Sequence, residues 1–146
     1  MPIRLAVLLS GSGTTLQNII DRIDCGELDA TVAGVISSRA GVFGLERAKR
    51  HGISTAEVVR RGFADHGAFN SALWTAIREF SPDLVVLAGF MSLIDVPADY
   101  QNRIVNVHPA LIPAFCGHGM YGHHVHEEVL RYGAKVSGAT VHFVDT

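Results

Sequence analysis

The chain has little net charge, few cysteines and no long apolar run, and each shortage removes a class of protein. Lys and Arg number 12 against 14 Asp and Glu, a formal charge of −2. Duplex-binding domains carry a basic surface that neutralises phosphates, so no nucleic-acid partner is expected. Two cysteines, Cys25 and Cys116, are too few for a disulfide framework. The expectation is a reducing, cytoplasmic compartment with buried free thiols. No apolar stretch approaches the roughly 18 residues of a membrane span, so no membrane partner is expected either. The opening MPIRLAVLLSGSG superficially suggests a secretory leader, but its apolar segment runs only from Leu5 to Leu9 before a glycine turn. A first core strand is the better reading.

What remains is a chain of 146 residues, 48% of them hydrophobic. That is about one domain's length, with enough apolar sequence for a core. Residues 3–9 form a nearly unbroken apolar run, as in a strand covered on both faces. After a Gly/Ser/Thr turn, Leu16, Ile19, Ile20 and Ile23 recur at helical spacing. Further strands are expected at 31–36, near 56–59, and at 84–88, 104–107 and 136–144. Val42, Leu45 and Ala48 mark a second helix. Phe69, Leu73, Ile77 and Phe80 mark a third, stopped by Ser81-Pro82, and Val125, Val129 and Tyr132 stripe a fourth, closed by Gly133. Strand and helix in alternation predict an α/β domain: a mostly parallel twisted sheet with helices on both faces. Residues 1–146 read as a single domain. The longest irregular stretch, 109–122, is of a length usually functional or mobile.

Open parallel sheets bind ligands beyond the carboxyl ends of their strands. The first strand is followed by Ser10-Gly11-Ser12-Gly13-Thr14-Thr15 and a helix start. Free N–H groups of a first helical turn favour an anion, and Thr14 and Thr15 add hydroxyl donors and a helix cap. The loop lacks the Gly-Lys-[Ser/Thr] of a Walker A loop, and Leu16 stands where a dinucleotide fingerprint needs a third glycine. A phosphate cradle and a plain glycine-rich turn both fit. The fourth strand runs into Met91-Ser92-Leu93-Ile94, apolar enough to wall a slot for a flat ring or to be ordinary core. The fifth ends in Asn106-Val107-His108-Pro109. Alternation puts Asn106 and His108 on one side of an extended segment. A carboxamide donor and an imidazole suit acid–base work and a developing oxyanion. His118, His123, His124 and His126 cluster beside Glu127 and Glu128. They lack metal-site spacing, so i, i+4 pairing of His123 with Glu127 and His124 with Glu128 is expected rather than a metal. His51 and His66 read as surface residues, and His142 as pointing opposite to Val141 and Phe143.

Several stretches together resemble the phosphoribosylglycinamide formyltransferase family. They are Ser10-Gly11-Ser12-Gly13-Thr14-Thr15-Leu16-Gln17, Phe43-Gly44-Leu45-Glu46-Arg47-Ala48, Leu87-Ala88-Gly89-Phe90-Met91, Asn106-Val107-His108-Pro109-Ala110-Leu111-Ile112-Pro113 and Gly138-Ala139-Thr140-Val141-His142-Phe143-Val144. The Asn-x-His-Pro stretch marks folate-dependent formyltransferases broadly, and the glycine-rich loop points to the purine-pathway member. The resemblance implies a Rossmann-like formyltransferase fold and formyl transfer from 10-formyltetrahydrofolate to the amine of glycinamide ribonucleotide in purine biosynthesis. By position, Gly13, Thr14 and Thr15 would hold the ribonucleotide phosphate. Met91, Ser92, Leu93 and Ile94, with Asn106, would line the folate slot, and His66 stands where members often carry a basic folate-contacting residue. Asn106 would bond the formyl oxygen, and His108 would donate a proton and stabilise the oxyanion. Folate serves as co-substrate and no metal is implied. The partners are these small molecules, with a homodimer left open.

The family's catalytic aspartate would fall a few positions beyond Thr146, and Asp145 does not match it. The expectation is therefore a domain incomplete at its C-terminus. Two other readings stay open: a formyltetrahydrofolate hydrolase on the same scaffold, and a fragment that binds ribonucleotide without turnover.

Overall fold

A run of apolar residues in a strand can be buried only if both faces of its sheet are covered, and the first strand meets that condition. The computed structural model describes residues 1–145. Its strands are β1 (Ile3–Leu9), β2 (Ala30–Ser37), β3 (Thr55–Glu57), β4 (Leu84–Leu87), β5 (Ile104–His108) and β6 (Thr140–Phe143). They form one sheet in the order β3-β2-β1-β4-β5-β6. Every pairing is parallel except that of β5 with β6, which is antiparallel. The helices are α1 (Thr14–Asp24), α2 (Phe43–Arg50), α3 (His66–Glu79) and α4 (His123–Tyr132).

Side-chain alternation sorts the core into two layers. Leu5, Val7 and Leu9 of β1 pack with Leu16 and Ile20 of α1 and Leu45 and Ala48 of α2. Ala6 and Leu8 face the other way, onto Phe69, Leu73, Trp74 and Ile77 of α3. Phe69, Leu73 and Ile77 are fully buried, each contributing about 1.5–3 kcal/mol by removal from water. Helices therefore cover both faces, as the alternating pattern predicts. α4 makes a smaller cluster of its own, in which Val125 and Val129 enclose Ala110 against Phe115 and Met120. Among the described residues no helix is long and apolar enough to cross a membrane.

Some element boundaries differ from the sequence reading. The third strand is three residues, Thr55–Glu57, because only these pair with Val35, Ile36 and Ser37. The last strand begins at Thr140, where pairing with His108 starts, so residues 136–139 are not part of it. Val136 is instead exposed. Both cysteines are exposed, contrary to the expectation of buried thiols. Cys25 lies in the turn after α1, its Sγ against the carbonyl of Arg22, and Cys116 lies in the irregular stretch after β5, its Sγ against that of Pro113. His142 does point opposite to Val141 and Phe143, which are exposed while it is half-buried.

Candidate active site

The parallel strands β1, β4 and β5 are neighbours, so the loops after them meet at one edge of the sheet. The loop after β1 is held in place by α2. Gly44 N–H donates to the Gly11 carbonyl at 3.0 Å, and Arg47 Nε donates to the Ser12 carbonyl at 2.8 Å. Gly13 occupies the cap position of α1 at φ 73°, and no side chain caps that end. Thr14 and Thr15 are instead the first helical residues, which corrects their reading as caps. The first turn of a helix has N–H groups without intrahelical acceptors. Those groups, the helix dipole and the Arg47 cation make this loop suited to an anion. A Cβ at Gly13 would lie 2.6 Å from Gly44 Cα, and one at Gly44 would lie 2.7 Å from Leu9 Cδ2. Two glycines thus allow loop and helix to touch backbone to backbone.

A buried hydroxyl joins this loop to the one after β4. Ser10 Oγ lies 2.6 Å from Ser38 Oγ and accepts the Met91 N–H at 2.9 Å. Gly89 supplies the left-handed turn at φ 75° that brings the chain back to that bond. Within the segment that follows, Met91 and Leu93 are exposed and Ser92 is half-buried. Ile94 is buried in the core beside Trp74 and Tyr100, so it is not open to a ligand as a slot-lining residue would be. The segment is anchored at its far end by α3. His66 Nε2 lies 3.0 Å from Asp95 Oδ1, the Asn70 carboxamide oxygen accepts the Asp95 N–H at 2.8 Å, and Trp74 Nε1 donates to the Asp95 carbonyl at 2.8 Å. His66 is thus half-buried rather than free on the surface, and it touches the loop that carries Met91 and Ser92.

Asn106 and His108 lie two residues apart on β5, opposite His142 and Thr140 of β6. Asn106 Nδ2 is 3.3 Å from His142 Nε2, and His142 Nδ1 is 3.1 Å from the Phe143 carbonyl. A carbonyl only accepts, so Nδ1 carries the His142 proton, and Nε2 accepts from the Asn106 amide. The second amide hydrogen of Asn106 remains for a ligand. His108 is buried, 8% exposed, and its Nε2 lies 2.7 Å from the Phe115 carbonyl. By the same logic His108 Nε2 carries a proton. Phe115 adopts φ 51°, uncommon for a bulky residue, and packs between α4 and Ala110. Thr140 ties the following loop to β6 by donating to the Ala110 carbonyl at 2.7 Å and accepting the Ile112 N–H at 3.1 Å.

The histidine-rich stretch pairs otherwise than expected. His124 meets Glu127 at 3.8 Å and Glu128 pairs with Arg131, both at i, i+3. The Arg131 guanidinium holds the Glu128 carboxyl below its usual range and is itself raised by it. Among the described residues no three His, Cys, Asp or Glu side chains gather at metal-binding spacing. Sequence reasoning missed Ser38, the partner role of His142, and the bonds that Ser10 and Thr140 make from inside quoted stretches. Isolated hydroxyls have no sequence periodicity that could reveal them. Gly44 and Arg47 did stand inside a quoted stretch, but only the fold brings them onto the loop.

Residues 3–146 match the formyl transferase family. The chain belongs to that family. This formyl transferase chain is 39% identical over 143 residues to phosphoribosylglycinamide formyltransferase of Escherichia coli (strain K12), covering 96% of this chain and 65% of that protein. It is equally similar, at 39% over 143 residues, to the trifunctional purine biosynthetic protein adenosine-3 of Bos taurus, covering 97% of this chain and 14% of that one. The crystal structure of glycinamide ribonucleotide transformylase 1 from Symbiobacterium toebii superposes with a TM-score of 0.89 at 42% identity, covering 99% of this chain and 66% of that chain. The chain therefore spans just under two thirds of the length of the Escherichia coli and Symbiobacterium toebii relatives.

Proposed function

We propose that this chain carries the substrate sites of a phosphoribosylglycinamide formyltransferase, taking a formyl group from 10-formyltetrahydrofolate to the amine of phosphoribosylglycinamide. The observation that supports it most is the convergence of three loops on neighbouring parallel strands. An anion-suited turn at Gly13, a segment at Met91 pinned to it through Ser10, and the Asn106–His108 pair share one sheet edge. A cytoplasmic location suits this reading.

In this reading the ribonucleotide phosphate sits against Gly13, Thr14 and Thr15. The co-substrate ring lies along Met91, Ser92 and Leu93, with His66 touching the same segment. The amine attacks the formyl carbon, whose oxygen becomes an oxyanion. Asn106 donates its free amide hydrogen to that oxygen. The carbon–nitrogen bond to the folate then breaks, and one proton passes from the attacking amine to the departing nitrogen. His108, whose Nε2 proton rests on the Phe115 carbonyl, supplies a proton-handling group beside this exchange. Orientation and charge stabilisation carry the rate, with no covalent enzyme intermediate.

His108→Ala is expected to lower formyl transfer by about 10²–10³-fold while ribonucleotide affinity, read by calorimetry, stays within about twofold of the parent. Near-normal turnover in the variant removes His108 from the chemistry.

A further inference from the structure

A trans peptide carries its C=O and the following N–H in opposite directions, so whatever holds a carbonyl also aims the next amide. In the loop after β1 that holding is done by α2. The Gly11 carbonyl accepts the Gly44 N–H at 3.0 Å, and the Ser12 carbonyl accepts from Arg47 Nε at 2.8 Å. Both carbonyls therefore face α2, and the Ser12 and Gly13 N–H groups face away from it. Among the described residues neither N–H meets an acceptor. Two successive donors thus stand open beside the first turn of α1, an arrangement that cups an anion. Arg47 is itself held on three sides. Its Nη1 donates to Gln17 Oε1 on α1 at 3.4 Å, its guanidinium lies 4.7 Å over the Phe43 ring, and its Cδ is 3.5 Å from where a Cβ at Gly13 would be. It is half-buried and has no carboxylate partner among the described residues, whereas Arg22, Arg78 and Arg131 each pair with one.

We propose that Arg47 is a positioning residue: by drawing the Ser12 carbonyl onto α2 it aims the Gly13 N–H at the substrate's phosphate, and so sets the preference for a phosphorylated over an unphosphorylated ribosyl substrate. The inference rests on the formyl-transfer reading, which puts the phosphate at this loop. Arg47 acts in two ways that its chemistry separates. Holding the Ser12 carbonyl and Gln17 together needs the guanidinium fork. The positive charge acts at a distance, and an ammonium supplies it equally. Without the bond from Nε the Ser12–Gly13 peptide is free to turn. Its carbonyl can then rotate to the open side of the loop, where an oxygen repels a phosphate. Gly44 orients the neighbouring peptide through its backbone, so the lever that a side-chain substitution can remove is Arg47.

The test pairs calorimetry with amide NMR of Ser12 and Gly13, on the parent, Arg47→Met and Arg47→Lys, with circular dichroism to check the fold. The probes are phosphoribosylglycinamide, its dephosphorylated riboside and inorganic phosphate. Arg47→Met keeps an apolar stem against Gly13 and loses the donors. It is expected to displace both amide resonances in the free protein. It is also expected to weaken phosphoribosylglycinamide about tenfold or more, while the riboside stays within about twofold of the parent. Arg47→Lys keeps the charge without the fork, so its affinity is expected to return only as far as its amide resonances do. An unchanged preference for the phosphorylated ligand in Arg47→Met overturns the proposal. So does an equal loss of both ligands, which marks collapse of the loop. Full affinity in Arg47→Lys with the amides still displaced shows that charge acts alone, and overturns it too. Failure of the formyl-transfer reading looks different: the parent binds phosphoribosylglycinamide no tighter than inorganic phosphate, while phosphate still shifts the Ser12 and Gly13 amides of the parent more than those of Arg47→Met.

Discussion

Gly13 is constrained twice, by a left-handed φ of 73° and by Gly44 Cα standing 2.6 Å from where a Cβ would be. Gly13→Ala must therefore distort the loop or push α2 away. It is expected to destabilise the fold by about 1–3 kcal/mol, read as a lower urea midpoint at unchanged slope. An unchanged midpoint means that the contact relaxes freely. The loop's glycines were legible in the sequence as a turn, but their reason was not. Gly13 and Gly44 are far apart along the chain and meet only when α2 docks. Asn106 and His108 show the same division. Their spacing put them on one face of a strand, yet the hydrogen-bond partners that fix their protons, His142 and the Phe115 carbonyl, come from segments that sequence spacing does not join.

At the scale of elements, α3 is fastened to the turn before β5 by charge and aromatic contact. Arg78 pairs with Asp99 at 3.0 Å and lies over the Trp74 ring, while Arg103 covers Tyr100. The hydrogen bond from Arg78 lowers the Asp99 carboxyl below its ordinary value of 3.8. A carboxyl lowered on folding adds stability above its ordinary value, and that stability is lost as pH falls through the lowered one. Arg78→Ala is accordingly expected to return the Asp99 titration toward 3.8, followed by carboxyl-carbon NMR, and to leave stability at neutral pH little changed, since both side chains are exposed. An unmoved titration would assign the shift to the backbone instead. The helical stripe of α3 was plain from Phe69, Leu73 and Ile77, whereas this fastening was not, because charged surface residues carry no period.

Across the whole molecule, order in the sheet sets an order of local stability. β1 and β4 lie between paired neighbours and are buried on both faces. β6 pairs on one side only and leaves Val141 and Phe143 exposed, and α4 buries only Val125 and Val129. Local opening follows burial and pairing. Amide hydrogen exchange is expected to be slowest in β1 and β4 and faster in β6 and α4. Uniform protection across all four would show that α4 and β6 open only with the global fold. On this reading Asn106, His108 and their β6 partners sit on the more mobile side of the sheet, and the Gly13 loop on the more rigid side.

The sequence by itself determined the layered α/β architecture, the sheet edge at which the candidate site residues gather, and the family stretches on that edge. Periodic burial and glycine turns are local properties, and a local pattern survives being read along one chain. The tertiary structure alone decided which hydroxyl pins which loop and which groups the His108 and His142 rings meet. Those facts depend on residues distant in sequence meeting at short range, where hydrogen bonds and charge act.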